Sequence, residues 1–337
     1  MPKLTFPLRN QKLSESNSIG HLNGYLILHP VGEGHLFPVF VALDPSDNRL
    51  VVIKIMDPTE SAFINEAEVF KLKAHNRIVC CKSLIEGGKF IVEDKYLTLK
   101  DRVRLAGSKT SPEPSYLLKN ALVLELAPFG DLFNYVLFGP LSAGVTRFYM
   151  EQLLDAIEHL HVNGYCHSDI KLENILLDEN FNIKLTDFGY SNSIFDGKVI
   201  DKKTGTPSYR PPEMWIDDFK GHNGVKTDIF QLGIVLFILL SGMPPFHEAN
   251  SLDTYYKTAL AGRWDLFWML KQRDFKTKKV PGFSDEQKVL LTQMLSPKLE
   301  ERPSLEEIRT SSWFANTKPA TEEEVSIEMK RRVEMQA

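Results

Sequence analysis

Cysteine is scarce in this chain of 337 residues, which contains only Cys80, Cys81 and Cys166. Two of the three are sequence neighbours, an arrangement that disfavours a bridge between them. The sequence therefore lacks the disulfide framework on which small secreted domains depend, and its cysteine content is typical of a reducing compartment. We expect a cytoplasmic protein, with the nucleus as the alternative location.

Long apolar runs and a strong excess of one charge are also missing. The first residues, MPKLTFPLRNQK, contain no apolar stretch of the kind a secretory signal needs. The longest apolar run, Leu232–Leu240, is far shorter than the ~20 residues of a membrane helix. Basic and acidic residues number 40 and 44, for a net charge of −4, and the positive charge is scattered. We therefore expect neither membrane insertion nor a nucleic-acid partner.

The composition that remains is that of a globular protein. Hydrophobic residues make up 43% of the chain and charged residues 25%, values that exclude a disordered chain, a collagen and a coiled coil. Because compact units usually have roughly 100 to 200 residues, the length predicts two of them.

The pattern of apolar residues differs between the two parts of the chain. Tyr25–Asp44 predicts two strands around a glycine-bearing turn, and Leu50–Met56 predicts a third strand. Apolar residues at helical spacing predict one helix between Phe63 and His75. Helical patterns dominate from Leu141 onward, and Asp228–Leu240 is apolar on all sides, as in a buried central helix. A sheet-rich part is thus followed by a helical part.

Two charged stretches stand apart from this pattern. Glu86–Asn120 is polar, with Lys and Arg near its centre, and it reads as an insertion in the sheet-rich part. Ala315–Ala337 contains EEE and KRR and reads as a charged tail that can form an amphipathic helix. For both stretches a plain solvated surface is the alternative. The boundary between the two parts is expected near Ala127–Gly130.

Candidate phosphate-binding groups occur early in the chain. Gly32 and Gly34 lie in the first predicted turn, where backbone N–H groups without side-chain obstruction can approach phosphates. Lys54 lies on the third predicted strand. Each feature alone has an ordinary explanation, since most such turns are simple hairpins and most such lysines extend along the surface into water.

A more specific series follows in the helical part. His167, Asp169, Lys171 and Asn174 occur within YCHSDIKLEN, and Asp187-Phe188-Gly189 begins 13 residues after the asparagine. Either motif alone is compatible with side chains that cap turns. Their occurrence together, in this order and downstream of the glycine turn and the strand lysine, is not explained by chance.

These motifs resemble those of the eukaryotic protein kinases, from about Tyr25 to Phe314. The resemblance also includes GTPSYRPPE, DIFQLG and ERPS further along the chain. It implies an α+β fold with two lobes. The expected organisation is an N-terminal extension over 1–24, a small antiparallel-sheet lobe with one main helix over 25–127, a larger mainly helical lobe over 128–314, and the tail over 315–337.

The resemblance implies transfer of the γ-phosphoryl group of Mg-ATP, a reaction in which the protein mainly positions groups and neutralises charge. Asp169 is expected to accept the proton of the substrate hydroxyl, and Lys171 to place positive charge near the phosphoryl group. Asp187 and Asn174 would hold Mg²⁺, for which oxygen ligands are suited. Lys54 would hold the α- and β-phosphates, supported by Glu66, which the spacing to His75 favours over Glu68.

The same resemblance assigns the nucleotide-binding residues. Leu124 occupies the gatekeeper position, backbone groups of Glu125 and Ala127 would bond the adenine, and Asp131 lies where kinases contact the ribose. The full expected set comprises Val31, Gly32, Glu33, Gly34, His35, Leu36, Phe37, Val39, Val52, Lys54, Leu124, Glu125, Ala127, Asp131, Leu176 and Asp187.

Several residues favour a serine or threonine acceptor in a protein substrate. Lys171 stands two residues after Asp169, and Gly205-Thr206-Pro207 matches the substrate platform of Ser/Thr kinases. The overall pattern is most similar to the calcium/calmodulin-dependent kinase group. Asp131 and Glu173 match positions that receive a basic residue, which predicts Arg or Lys three residues before the acceptor.

Three residues depart from the family pattern: Phe37 replaces the third loop glycine, Val52 the usual alanine, and Ser168 the catalytic-loop arginine. The activation segment is the stretch from Asp187 to Glu213, from the DFG motif through GTPSYRPPE. Without the catalytic-loop arginine, control by phosphorylation of this segment is expected to be weak or absent, although Thr204 is available as a target. The departures also support a second hypothesis, a catalytically weak or inactive kinase-shaped scaffold. Nothing in the sequence indicates an oligomeric state.

Overall fold

The computed structural model describes residues 18–31, 38–97, 101 and 116–336. The chain divides into two compact units. One, the sheet unit, comprises Met1–Ala74 and Val79–Pro128, and the other, the helical unit, comprises His75–Ile78 and Phe129–Ala337. This division agrees with the α+β class, and the chain passes from one unit to the other between Pro128 and Phe129.

The described part of the sheet unit contains six antiparallel strands and the helix α1. The strands close into a barrel in the order β1-β2-β3-β4-β6-β5. Their bounds are β1 Gly20–Leu22, β2 Tyr25–Pro30, β3 Val39–Leu43, β4 Leu50–Met56, β5 Cys81–Val92 and β6 Leu117–Glu125. Helix α1, Ser61–Phe70, lies between β4 and β5 and ends five residues before His75, where the apolar pattern had extended it.

Alternation along strand β4 decides which way Lys54 faces. Val51, Ile53 and Ile55 belong to the buried core of the barrel. Since successive side chains of a strand point to opposite faces, Val52 and Lys54 face away from that core. Strand pairing aligns Val52 with Leu124 and Lys54 with Val39.

Strands β5 and β6 take up both ends of the segment over 86–120 that the sequence suggested as an insertion. Strand β5 continues to Val92 and β6 begins at Leu117, so the connection between the strands is shorter than expected. Most of that connection lies outside the described residues. Asp101 is described and is buried, and its Oδ1 accepts a hydrogen bond of 2.6 Å from Lys119 Nζ. Lys119 also donates to Asp57 Oδ1 at 2.7 Å, which makes a buried group of one lysine and two carboxylates.

The helical unit contains nine described helices and two small two-stranded sheets. The helices are α2 Phe133–Val136, α3 Ala143–Val162, α4 Gly224–Ser241, α5 Tyr256–Leu260, α6 Trp264–Lys278, α7 Asp285–Met294, α8 Leu305–Arg309, α9 Ser312–Asn316 and α10 Glu322–Gln336. The sheets pair β7 Tyr165–Cys166 with β10 Asn192–Ser193, and β8 Ile175–Leu177 with β9 Ile183–Leu185.

Helix α4 forms the centre of the helical unit, as the apolar pattern predicted. Asn223 caps its first turn by accepting from Lys226 N at 3.0 Å, and Gly242 ends it in the left-handed conformation with φ 69°. By length and composition alone α4 could cross a membrane, but 83% of it is buried inside the unit. It is accordingly the core helix of this unit.

The charged tail forms helix α10, which packs on the helical unit through one face. Val325 and Met329 are fully buried there. Arg332 donates to the carbonyl oxygens of Tyr135, Gly139 and Pro140 at 2.5–2.9 Å. The tail is therefore a packed element of the unit rather than a solvated extension.

Candidate active site

In the sheet unit, Lys54 on β4 forms an ion pair with Glu66 on α1. The Nζ–Oε1 distance is 2.5 Å, and Lys54 and Glu66 are 7% and 0% exposed. Burial at this level removes most screening by water, so each charge depends on the other. The competing candidate, Glu68, instead pairs with Lys71 at 2.6 Å on the exposed side of α1. The structure thus brings Lys54 to Glu66.

The residues expected around an adenine ring lie partly on the face of the sheet that carries Lys54. Val52 and Leu124 are strand partners on this face, and Val39 is the partner of Lys54. Glu125 is joined to Cys80 twice, because its backbone N–H donates to Cys80 O at 2.9 Å and its Oε1 accepts from Cys80 N at 2.8 Å. These bonds hold the end of β6, just before Ala127.

The glycine-bearing turn cannot be placed in this site. Gly32, Glu33, Gly34, His35, Leu36 and Phe37 lie outside the described residues. Val31, directly before them, donates through its backbone N–H to Val39 O at 2.8 Å. The ends of strands β2 and β3 that flank the turn are therefore paired.

In the helical unit, Asp169 is held on both carboxylate oxygens. Its Oδ1 accepts from Thr206 N at 2.7 Å, and its Oδ2 accepts from Lys171 Nζ at 2.8 Å. Lys171 Nζ also donates to Thr206 Oγ1 at 2.7 Å. Asn174 Nδ2 donates to Asp169 O at 2.9 Å, closing the loop that carries all three polar groups. Asp169, Lys171, Asn174 and Thr206 thus form one hydrogen-bonded cluster.

Side chains of helix α4 hydrogen-bond to the backbone of this loop. Asp228 is fully buried, and its carboxylate accepts from His167 N at 2.9 Å and Ser168 N at 2.8 Å. His161 Nε2 donates to the same carboxylate at 2.8 Å. Gln231, one turn further along α4, accepts from Ile170 N at 2.8 Å through Oε1. Two side chains of one helix therefore fix the loop backbone at His167, Ser168 and Ile170, on both sides of Asp169.

Gln231 is a residue that motif reasoning missed. It donates through Nε2 to Ser168 O at 3.0 Å, in addition to accepting from Ile170 N. The signal available in the sequence was one polar residue within the apolar run that follows Asp228. In the structure Gln231 is fully buried. A buried amide needs partners for both its donor and its acceptor, and the loop backbone supplies them.

Asp187 adopts φ 64°, a conformation that is unusual for a residue with a side chain. The backbone on its N-terminal side is tied to the loop, because Thr186 N donates to Asn174 O at 3.0 Å. On its other side Phe188 is fully buried, with its ring 5.1 Å from that of His167. His167 Nε2 donates to Thr186 O at 3.0 Å, so the two motifs are bonded to each other. Strained backbone of this kind is concentrated at functional sites.

The chain from Thr204 to Thr206 runs close against the catalytic loop. Gly205 has φ 74°, and a Cβ atom at this position would lie 2.5 Å from Ser168 O. Only glycine permits this approach, which brings Thr206 N to the carboxylate of Asp169.

A comparison with known families identifies this architecture. The protein kinase domain model matches residues 25–314. The chain belongs to the protein kinase family. Similar kinases include CBL-interacting serine/threonine-protein kinase 2 of Arabidopsis thaliana, 40% identical over 196 residues, which are 57% of this chain and 39% of that protein. CBL-interacting protein kinase 26 of Oryza sativa subsp. japonica is 31% identical over 297 residues, or 87% of this chain and 52% of that protein.

The kinase also resembles a protein outside the plants. Probable serine/threonine-protein kinase MARK-B of Dictyostelium discoideum is 28% identical over 307 residues, which are 90% of this chain and 38% of that protein. The chain spans about half the length or less of these three relatives. The resemblance to Ser/Thr kinases is therefore confirmed for the part of the relatives that corresponds to this chain.

The donor atoms near Asp187 fit a magnesium ion. In the described part of the kinase no group of three or more His, Cys, Asp or Glu residues could hold a metal. Asn174 O accepts from Thr186 N, directly before Asp187, so the Asp187 carboxylate and the Asn174 amide are the candidate ligands. Because Asn174 Nδ2 donates to Asp169 O, the amide oxygen is the atom available to a cation. Carboxylate and amide oxygens suit Mg²⁺, which retains several waters and takes few protein ligands.

An ion pair braces the end of the activation segment. Arg302, 1% exposed, donates from its two terminal nitrogens to the two oxygens of Glu213 at 2.8 and 2.7 Å. It also donates to Ser296 O at 2.9 Å through Nε. This fork geometry is the strong form of a carboxylate–guanidinium contact.

Two further acidic residues lie beside the catalytic cluster. Asp131 accepts from Asn134 N at 3.1 Å and from Asn134 Nδ2 at 2.8 Å. Burial raises the pKa of Glu173, and the negative charges of Asp131 and Asp169 raise it further. Glu173 Oε2 is buried without a hydrogen-bond partner among the described residues. Leu176, expected under the adenine, lies on β8, and its backbone pairs antiparallel with that of Asp131.

Proposed function

We propose that this kinase transfers the γ-phosphoryl group of Mg-ATP to serine or threonine hydroxyls of proteins. The observation that supports this most directly is the Asp169 cluster, in which both carboxylate oxygens are oriented by Thr206 N and Lys171 Nζ. A carboxylate held in this way has remaining lone pairs with which to accept a substrate hydroxyl.

Each polar residue then has a defined task. Asp169 orients the substrate hydroxyl and accepts its proton as the oxygen attacks the γ-phosphorus. Lys171, which bridges Asp169 and Thr206, places positive charge beside the transferring group. Lys54, held by Glu66, binds the α- and β-phosphates. Asp187 and Asn174 hold Mg²⁺, which when bound neutralises phosphate charge. In such a reaction positioning and charge neutralisation supply most of the rate enhancement.

Turnover of ATP with a mixture of serine and threonine peptides tests this proposal. We expect Asp169→Asn to lower kcat by about 10²- to 10⁴-fold, since a positioned general base contributes this much. Asp265→Asn, the same change at an exposed position of α6, should leave kcat unchanged. Nucleotide binding, measured by a thermal shift with Mg-ATP, should persist in both variants. Binding without turnover in the wild-type protein would instead favour the scaffold hypothesis, for which Ser168 and Val52 are the motivating residues.

For the substrate we propose a basic residue three positions before the acceptor. Glu173 supports this proposal, because its buried carboxylate has an oxygen with no partner among the described residues and lies in the negative field of Asp131. A cation placed there would be stabilised by both carboxylates. A positional peptide library should select Arg or Lys at this position, and Glu173→Gln should reduce that selection. A library without basic selection in the wild-type protein would contradict the proposal.

A further inference from the structure

The activation segment is attached to helix α4 through one buried histidine. His222 Nε2 lies 3.1 Å from Thr204 Oγ1, and His222 Nδ1 lies 2.7 Å from Thr227 Oγ1. Thr204 and Thr227 are fully buried, and His222 is 2% exposed. The backbone of His222 also pairs with that of Ile200 through two hydrogen bonds of 3.0 Å. The segment is thus held to the residues that lead into α4 at both Ile200 and Thr204.

The two hydrogen bonds of the His222 ring, to Thr204 and Thr227, suit a neutral imidazole. Burial lowers the pKa of His222, although the nearby carboxylates of Glu213 and Asp228 oppose the shift. A neutral imidazole has one donor and one acceptor nitrogen, and each threonine hydroxyl can take either part. Either tautomer therefore completes a Thr204–His222–Thr227 chain in which both ring nitrogens are hydrogen-bonded.

Thr204 lies two residues before Thr206, whose backbone N–H donates to the carboxylate of Asp169. Arg210 Nε donates to Thr204 O at 3.1 Å and to Gly205 O at 3.0 Å, so Thr204 is fixed at its side chain and at its carbonyl. Gly205 lies so close to Ser168 O that a Cβ atom would be 2.5 Å from it, which restricts the backbone here. Thr206 follows directly and donates to Asp169 Oδ1. A displacement of Thr204 would therefore move the backbone that orients Asp169.

The catalytic loop offers no cation to the activation segment at Ser168. The side chain of Ser168 lies instead against Cys166, with Oγ 3.2 Å from Sγ. Thr204 itself is inaccessible to a modifying enzyme in this conformation, because it is fully buried. In this conformation neutral hydrogen bonds hold the segment at Thr204, whereas in many kinases a phosphate bound by arginine orders it.

We propose that His222 is a positioning residue which, through Thr204 and Thr227, holds the activation segment in its substrate-accepting conformation without phosphorylation. This inference rests on the proposed kinase function and specifies the regulation of the same site. The kinase would then be active as translated.

Steady-state kinetics of His222→Phe test the positioning role. Phenylalanine keeps an aromatic ring and removes both hydrogen bonds. Because two neutral hydrogen bonds are lost, we expect kcat/KM for peptide to fall about tenfold, with the KM for ATP unchanged. Thr204→Val and Thr227→Val, which remove one bond each at nearly constant shape, should each give a smaller loss. Equal changes in the KM values of peptide and ATP would contradict the inference, as would an unchanged kcat/KM for peptide.

Hydrogen exchange of the unliganded full chain supplies a readout that needs no activity. The amide of Thr206 should exchange about tenfold faster in His222→Phe or Thr204→Val than in the wild-type protein. Thr292→Val is the matched control, since Thr292 accepts from Trp268 Nε1 at 3.0 Å elsewhere in the helical unit. If the variants exchange faster but the wild-type protein shows no turnover, the positioning role is upheld and the kinase function is rejected. Normal turnover with unchanged exchange would do the reverse.

Phosphatase treatment tests the regulatory part. We expect treated and untreated wild-type protein to have equal kcat/KM for peptide. A large loss after treatment would show that a phosphate orders the segment, which would overturn the proposal whatever the behaviour of the His222 variants.

Discussion

In the sheet unit Lys54 projects from a strand and forms an ion pair with Glu66. In the helical unit, by contrast, Asp169 belongs to a loop whose backbone is bonded to helix α4 on both sides of it, at Ser168 and Ile170. The first arrangement pairs opposite charges between side chains on rigid elements. The second uses a carboxylate and an amide to fix a main-chain path. The same unit also stabilises its activation segment with uncharged partners, Thr204 and His222.

The difference follows from what each unit has to position. A strand already fixes the direction of its side chains, so the ion pair with Glu66 has only to orient the end of the Lys54 side chain. A loop has no regular hydrogen bonds of its own, so its N–H and C=O groups need partners from elsewhere. The helical unit should therefore be most sensitive at the residues beneath the loop, and the sheet unit at its buried charges.

The largest effect is expected at Asp228. Asp228→Ala removes the acceptor for His167 N, Ser168 N and His161 Nε2, all inside the core. We expect a loss of about 4 kcal/mol in the free energy of unfolding, because buried donors are left unsatisfied. Urea denaturation followed by circular dichroism measures this loss. Asp285→Ala, at an exposed position of α7, should cost less than about 1 kcal/mol. A loss at Asp228 no larger than at Asp285 would remove the proposed contrast between the units.

In the sheet unit the corresponding test is Lys119→Met. The lysine pairs with two buried carboxylates, Asp57 and Asp101. Its removal should cost about 3 kcal/mol, since two buried ion-pair contacts are lost in a site with little water. Lys95→Met is the control, because Lys95 pairs with Glu93 at 2.8 Å on the surface. Equal unfolding midpoints for the two variants would mean that the buried group does not stabilise the unit.

A smaller effect is expected where the tail packs on the helical unit. Met329 is fully buried on α10, and Met335 on the same helix is 57% exposed. Met329→Ala should cost about 2 to 3 kcal/mol through lost burial and the cavity it leaves. Met335→Ala should cost less than about 0.5 kcal/mol. Limited proteolysis of the tail gives an independent measurement, and similar cleavage rates in the two variants would show that the tail is not held by this contact.

The smallest effect is expected at Glu68. Its contact with Lys71 lies at the surface of α1, so Glu68→Gln should change the free energy of unfolding by less than about 0.5 kcal/mol. Kinase activity should be unaffected, whereas Glu66→Gln should raise the KM for ATP by weakening the hold on Lys54. A larger loss of activity at Glu68 than at Glu66 would reverse the assignment of the two glutamates.

Much of the candidate site was predictable because kinase motifs keep their chemistry within short segments. Asp169, Lys171 and Asn174 lie in one loop, and their hydrogen-bonded cluster is consistent with the roles predicted for them. The sequence predicted that Lys54 lies on a strand, and the choice of Glu66 as its partner required counting back from His75 along α1. The predicted strand over Leu50–Met56 and the buried helix near Asp228–Leu240 were both found.

Other features had no local signal. The ends of β5 and β6 lay inside the segment taken as an insertion, because its polar composition concealed two strands whose pairing is set by the barrel. The buried group around Lys119 joins residues 62 and 18 positions apart. His222 was not recognised as a partner of Thr204, since a histidine before a helix has many ordinary explanations.

Residue types and short spacings along the chain were enough to predict the class of fold and the family, and they selected the candidate catalytic residues. The tertiary structure then showed which buried groups pair: Lys54 with the glutamate that the spacing favoured, Asp228 with the catalytic loop, and His222 with Thr204 and Thr227. The physical reason is that a buried polar group must find its partner wherever packing brings one close. That partner lies 12 residues away for Lys54 and 61 residues away for the bond between Asp228 and His167 N.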